Sequence, residues 1–203
     1  PVLSGGAGQG SFLILENGVP TRSPAFGNVN SLIEPHLEVA DAIEVIRGPG
    51  SAKYGSNAVH GLINVILPDA GSDQSLRASY GTLGRWRSDA SVNLGDSTRF
   101  NLSLLDDKGW RDATGGEQQK LSFLTRQTFG GWDAVAWLSA SSLNQETASF
   151  IQGPRAYKNR DLAKTNPNPE AFRDAWSARM GVRLERDLGP GRLILTPNAH
   201  SQG

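Results

Sequence analysis

The sequence predicts an α+β portion followed by antiparallel β-structure, and a change of pattern along the chain supports this fold class. Up to about residue 70, short apolar runs are separated by turn residues, chiefly Gly, Pro and Asn. From about residue 74, apolar and polar residues alternate with the period of two that places strand side chains on opposite faces. We therefore expect one domain over residues 1–70 and a second over residues 74–203.

The first portion contains three short apolar runs that favour strands. Asn17 and Gly18 follow the first run and form a dipeptide typical of tight hairpin turns. Pro49 and Pro68 follow the other two runs, and a proline cannot donate to a β-ladder. The strands are expected at 12–16, 43–46 and 62–67, helical turns at 35–40 and 51–54, and a loop at 21–31.

Seven strands are expected in the second portion, at 76–80, 85–94, 98–105, 120–128, 132–143, 175–185 and 192–196. Their two faces differ in polarity. An Arg that faces lipid costs about 2–4 kcal/mol, so the polar face must meet water or a polar lumen. The predicted outward residues are Trp86, Ala90, Val92, Leu94, Trp176, Met180, Val182 and Leu184, and the predicted inward residues are Arg87, Asp89, Arg179, Arg183 and Glu185.

The connections between these strands also alternate. Short ones at 95–97, 130–131 and 188–191 interleave with long polar ones at 106–119 and 144–173. Outer-membrane barrels have this layout, with short turns at one end and long loops at the other, and Trp residues near strand ends suit their aromatic girdles. A soluble β-sandwich shows the same alternation of side chains, so alternation alone leaves both architectures open.

Composition excludes several classes of function. Lys plus Arg and Asp plus Glu are 20 each, and this zero net charge argues against nucleic acid as a partner. Without Cys there is no thiolate metal site or cysteine nucleophile, and the three His lack metal-ligand spacing. No serine lies in a nucleophile-elbow motif. We expect no enzyme activity, no catalytic residues, no cofactor and no metal site.

Two stretches carry a family resemblance. Residues 42–66 read AIEVIRGPGSAKYGSNAVHGLINVI, and residues 11–20 read SFLILENGVP. In this order they resemble the plug domain of TonB-dependent outer-membrane receptors, with patterns close to IEVxRGPxSxLYGxxAxGGVINII and LVLxDGVP. The resemblance rests on motifs over residues 1–70 and on the strand and loop pattern alone over residues 74–203.

The resemblance implies a partial transmembrane β-barrel with its plug. A barrel that holds a plug has about 22 strands of roughly 10 residues, more than this chain of 203 residues supplies. The implied function is TonB-dependent active uptake of a scarce ligand, such as a ferric siderophore, cobalamin or haem, across the bacterial outer membrane. The implied partners are TonB, the small-molecule ligand and outer-membrane lipid. The alternative is a passive or structural outer-membrane β-barrel protein without energy coupling.

The resemblance also suggests where ligand binds. In the family, the tyrosine of the RGPxSxLYG segment can touch ligand; the matching residue is Tyr54, which otherwise packs the plug against the barrel wall. Arg47 follows the second strand, which would lie buried inside the barrel, and we therefore expect Arg47 to form a structural ion pair with a carboxylate of the lumen. The ligand-binding candidates are Tyr54, Ser56 and Asn57, together with Arg22, Phe26 and Asn28 in the loop after the hairpin turn.

Overall fold

The computed structural model describes residues 12–22, 34–55 and 57–203, which form two β-sheets. The first, here called the plug sheet, has the strand order β2-β1-β4-β3. Strand β1 runs antiparallel to β2 and parallel to β4, and β3 runs antiparallel to β4. The elements are β1 (Phe12–Glu16), β2 (Val19–Pro20), β3 (Ala42–Arg47), α1 (Ser51–Tyr54) and β4 (Gly61–Ile66), with a 3-10 turn at Leu37–Val39.

The plug sheet forms as the sequence predicts. Asn17 and Gly18 both have positive φ, 50° and 80°, as the hairpin between β1 and β2 requires. One face of the sheet packs on α1 and the segment after it, in a small core to which Tyr54 adds its ring. The buried members of this core are Leu13, Leu15, Ala58 and Leu62.

The second sheet, here called the wall sheet, has the order β11-β10-β9-β8-β7-β6-β5, and β12 also pairs with β10. Because β11 and β12 pair with successive parts of β10, they occupy one strand position. The predicted seven strand positions are confirmed, and the sheet is open at both edges. Its strands are β5 (Ser75–Tyr80), β6 (Trp86–Asn93), β7 (Thr98–Asp107), β8 (Gly116–Phe129), β9 (Trp132–Glu146), β10 (Phe172–Asp187), β11 (Arg192–Leu195) and β12 (Asn198–Gln202).

The long connections are shorter than predicted. Strands β8, β9 and β10 have 14, 15 and 16 residues, so these loops narrow to 108–115 and 147–171. Apart from Gly116 and Phe172, the strand residues gained from these loops are polar on both faces, which is why the sequence pattern resembles a loop there. The longer loop contains a 3-10 turn (Ala156–Lys158) and α2 (Arg160–Lys164), whose first amides are capped by the side chain of Asn159.

The predicted polarity of the wall is confirmed. On the outward face, Trp176 and Met180 are 50% and 57% exposed. On the inward face, Asp89 and Arg179 are 9% and 4% exposed. Among the residues that the structure describes, no helix has the length and apolar character needed to cross a membrane.

Apolar contacts between the sheets centre on Trp137 of β9. Its indole is 5% exposed and lies in a cluster with Leu124 of β8 and with Val19 and Leu67 of the plug portion. The indole also covers Gly181, its cross-strand neighbour on β10. A methyl group at Gly181 would lie 2.5 Å from Cη2 and 2.9 Å from Cε2 of Trp137. Glycine is therefore needed for the indole to reach the plug.

We expect Gly181→Ala to destabilise the protein by about 1–3 kcal/mol, because a rigid indole cannot yield to the added methyl group. Denaturant unfolding in detergent, followed by tryptophan fluorescence, measures the change. Gly191→Ala is the matched control, since a methyl group added there would meet no atom within 4 Å. Equal stability of the two variants would contradict the role assigned to Gly181.

Candidate functional site

The inner face of the wall sheet carries two adjacent rows of polar side chains that run across five strands. The cross-strand register places Lys120 in one row and Arg179 in the next, and neither row contains an apolar residue. We call them the Lys120 row and the Arg179 row. The Lys120 row is Asp89, Ser103, Lys120, Ser141 and Ser177, and the Arg179 row is Ser91, Asn101, Ser122, Ser139 and Arg179.

A short plug segment, residues 34–38, docks on these two rows and is here called the anchor segment. His36 is its centre and is fully buried. Its ring nitrogens lie 3.0 Å from Ser122 Oγ and 2.8 Å from Ser103 Oγ, and its backbone N–H donates to Glu16 Oε2 at 3.0 Å. The ring thus joins the plug to β7 and β8, while the backbone joins the anchor segment to β1.

The imidazole of His36 is neutral. Burial and the positive charge of Lys120 lower its pKa from 6.5 to about 3. A neutral imidazole has one N–H donor and one acceptor nitrogen, so one of the two serines donates to the ring and the other accepts from it. Protonation would make both nitrogens donors and place a further positive charge beside Lys120.

Lys120 makes the first wall-to-plug ion pair. Its side chain is 3% exposed, and its Nζ donates to the backbone oxygen of Pro35 at 2.9 Å. The same Nζ lies 3.0 Å from both carboxylate oxygens of Glu38. A lysine this deeply buried requires such a partner, because an unpaired charge away from water is very costly.

Arg179 makes the second wall-to-plug contact. Its Nη2 lies 3.4 Å from both carboxylate oxygens of Glu16 and donates to the backbone oxygen of Glu34 at 3.1 Å. Its Nη1 lies 3.5 Å from Glu34 Oε2 and donates to Ser177 Oγ at 2.9 Å. Arg22 also forms an ion pair with Glu34, so the Glu34 carboxylate lies between two guanidinium groups.

Further cations hold the connection between the two sheets. Arg99 of β7 donates to the backbone oxygens of Ser72 and Asp73, and Arg126 of β8 pairs with Asp69. Arg99 is 2% exposed, whereas the Arg126 side chain is 57% exposed. The plug portion is therefore fixed to the wall at the anchor segment and again at residues 69–73.

The structure describes three of the six predicted ligand-binding residues. Tyr54 is partly buried against the plug core, and Lys53 Nζ lies 5.0 Å from its ring centroid. Asn57 is 9% exposed and has a φ of 74°. Arg22 is engaged by Glu34, and no described contact joins it to Tyr54. Phe26, Asn28 and Ser56 lie outside the described residues.

Arg47 ends β3, and the structure leaves both exposed. The prediction that this strand is buried is not met within this chain, because β3 is the edge strand of the plug sheet and pairs only with β4. No carboxylate of the described residues lies within ion-pair distance of Arg47, so its pairing stays a prediction.

Sequence reasoning missed the anchor segment. For His36 the sequence predicted only that it lacks metal-ligand spacing with the other histidines, and it predicted no role for Glu16, Glu34 or Glu38. A usable signal was present in the strand pattern, since the alternation that places Arg179 inward also places Lys120 inward. Two inward cations on the wall imply that the part of the chain packed against this face supplies acidic partners.

We expect Arg179→Met to destabilise docking of the plug by about 3–5 kcal/mol, because it leaves Glu16 buried without its cation. Arg183→Met is the control: it lies on the same face of β10, and its side chain is 46% exposed, so its loss costs at most about 1 kcal/mol. Fluorescence of Trp137, which touches the plug, measures undocking in denaturant. Similar midpoints for the two variants would contradict the assignment.

We expect the buried His36 to make stability depend on pH. Its pKa is about 3 when folded and 6.5 when unfolded, so its contribution is complete above about pH 6.5. It falls towards pH 3 by up to about 1.4 kcal/mol per pH unit, because only the unfolded chain takes up the proton. In unfolding measured across this range, His36→Gln should lose this part of the slope, whereas His60→Gln, at an exposed site, should retain it.

Comparison with known proteins agrees with this geometry. Residues 3–62 match the family model described as TonB-dependent Receptor Plug Domain. Three solved structures share the fold across nearly the whole chain. The ferric citrate transporter FecA matches with a TM-score of 0.68 and 14% identity, over 95% of this chain and 31% of that one. FpvA of P. aeruginosa with bound pyoverdine has a TM-score of 0.67 and 13% identity, over 92% of this chain and 27% of that one. The ferric-catecholate import receptor Fiu of E. coli has a TM-score of 0.64 and 18% identity, over 95% of this chain and 30% of that one.

The chain spans less than a third of the length of each of these three receptors and transporters. Its matched part contains both the plug sheet and the wall sheet, because more than nine-tenths of this chain is covered in each comparison. The resemblance found in the sequence is confirmed: residues 3–62 match the family model of the TonB-dependent receptor plug domain, and the chain has the fold of a plug with part of its surrounding barrel.

Proposed function

We propose that this chain forms part of a receptor that carries a scarce small ligand across the bacterial outer membrane with energy delivered through TonB. The observation that carries the proposal is the docking of the plug portion on the wall by buried charges, Lys120 with Glu38 and Arg179 with Glu16. A plug held in this way closes the lumen at rest. Transport then requires that these contacts be broken and remade.

Energy coupling follows from the burial of these contacts. Separating a buried ion pair without replacing either partner costs several kcal/mol, and here two pairs and the His36 hydrogen bonds act together. Spontaneous opening of such an interface is rare on the time scale of diffusion through a pore. A passive or structural barrel has no need of a plug fixed in this manner, so active transport is favoured over that alternative.

The ligand class that we propose is an iron carrier, with cobalamin and haem as the other candidates. The support is that three proteins with the same fold are named for ferric citrate, pyoverdine and ferric catecholate. They share only 13–18% identity with this chain, so the ligand itself must be identified by experiment.

We place the ligand-facing side of the plug at α1, and Phe26 and Asn28 stay candidates for ligand contact. Strand β4 runs from the α1 side of the plug to the connection at residues 67–74, which the wall holds through Arg99 and Arg126. The short turns of the wall lie at that same end. Helix α1 therefore faces the end with the long loops, and Tyr54 with its flanking polar residues is our leading candidate for ligand contact.

Uptake of radioactive iron tests the function. The complete receptor that carries this chain is expressed in a strain that lacks its own iron-carrier receptors, with and without a working TonB. The proposal requires uptake that disappears without TonB. Uptake that persists without TonB would support a passive barrel, and an absence of uptake for every iron carrier supplied would overturn the iron-carrier assignment.

We expect Tyr54→Ala to weaken ligand binding about tenfold, since loss of an aromatic contact costs roughly 1 kcal/mol or slightly more. Tyr80→Ala is the control, because Tyr80 is 81% exposed on the outward face of β5. Equilibrium binding to the purified receptor measures both variants. If Tyr54→Ala binds as tightly as the control, Tyr54 only packs the plug core.

A further inference from the structure

We propose that the Lys120 row and the Arg179 row are also a transit site for an anionic ligand, which they bind when the anchor segment and β1 move away together. The proposal rests on the transport function proposed above and adds a ligand class to it. Passing ligand would place its oxyanion groups, carboxylate or catecholate, where the plug carboxylates lie at rest.

The site is already built for oxyanions. Three plug carboxylates occupy it: Glu38 lies 3.0 Å from Lys120 Nζ, and Glu16 and Glu34 lie 3.4 and 3.5 Å from the guanidinium of Arg179. Serine hydroxyls flank the guanidinium at 2.9 and 3.2 Å and help to fix its orientation. A ligand oxyanion would bind the same two cations, Lys120 and Arg179, whose side chains are already oriented for an oxyanion.

Departure of the anchor segment together with β1, which carries Glu16, leaves the rows with an uncompensated positive charge. Asp89 is the only acidic residue in either row, and Arg87 on the same strand neutralises it at 2.8 Å. Lys120 and Arg179 then have no carboxylate of the wall as a partner in the described structure. Two adjacent cations on one face attract an anion.

Two further cations lie beyond the two rows, each in an ion pair: Arg126 with Asp69 and Arg183 with Glu185. Arg126 and Arg183 lie in register on either side of Val135, further along β8 and β10. Their side chains are 57% and 46% exposed and line a cleft between the wall and the plug residue Asn64. An anion that leaves Arg179 therefore meets a polar cleft with both cations and carboxylates at the end of the wall with the short turns.

The polarity of the rows fits transit better than attachment alone. Buried ion pairs hold an interface no more firmly than apolar packing of similar volume. A surface that only attaches the plug would gain no net stability from ten polar residues. A surface that is exposed to water whenever the plug moves away must instead be polar. Trp137 and Leu124, immediately beside the rows, supply the apolar attachment.

The test removes a cation without leaving a buried charge unpaired. In the double variant Lys120→Met with Glu38→Met, both members of the ion pair are replaced, so the plug can still dock. Lys120→Arg keeps the charge. The control Arg192→Met with Asp187→Met removes an exposed pair away from the rows. Each variant is made in the complete receptor and supplied with three iron complexes: anionic ferric citrate, an anionic ferric tris-catecholate and a neutral ferric trihydroxamate.

Binding to the purified receptor and the initial rate of uptake into cells are both measured. We expect the unmodified receptor to import an anionic complex. The double variant should bind that complex within about twofold of normal but import it at least tenfold more slowly, while Lys120→Arg and the control should import it at near-normal rates.

Two results would overturn the transit site while leaving the transport function intact. They are normal or faster uptake by the double variant, and uptake by the unmodified receptor of the neutral complex alone. Absence of uptake for all three complexes in the unmodified receptor would instead overturn the iron-carrier function, and the transit site with it.

Discussion

The inward Arg179 sets the main constraint on this structure, because a guanidinium that is 4% exposed needs acidic partners from outside its own strand. Glu16 and Glu34 provide them from a part of the chain more than 140 residues away. Lys120, in the neighbouring row, also needs an acidic partner and pairs with Glu38. The wall can therefore bury its inner face only with the plug in place and in one register.

The two kinds of contact between plug and wall contribute differently. Trp137 with its apolar neighbours removes hydrocarbon from water and supplies much of the attraction, without fixing the orientation of the plug. The charged and hydrogen-bonded contacts of His36, Lys120 and Arg179 contribute less net stability but tolerate only one alignment. A small displacement of the plug thus breaks the hydrogen bonds and ion pairs first. The apolar contacts of Trp137 are lost only as the plug moves further from the wall.

The sequence predicted the strand positions and the polarity of the wall because both depend on local alternation, as the inward position of Arg179 illustrates. It predicted the hairpin because Asn17 and Gly18 accept positive φ. It did not predict the pairing of His36 with Ser103 and Ser122, since that depends on how two sheets distant in sequence align. For the same reason, local pattern placed Arg47 correctly at a strand end but could not identify its partner.

Charge is distributed unequally across the interface, with carboxylates on the plug side and cations on the wall side. When β1 and the anchor segment move away together, Glu16 of β1 and Glu34 and Glu38 of the anchor segment leave as a negative group, and Lys120 and Arg179 remain as a positive one. Attraction between such groups acts over about 8 Å at physiological salt and grows as water is excluded. Return of the plug is thereby directed to its original register, which an apolar interface could not ensure. A cycle of displacement and return can thus repeat without permanent misalignment.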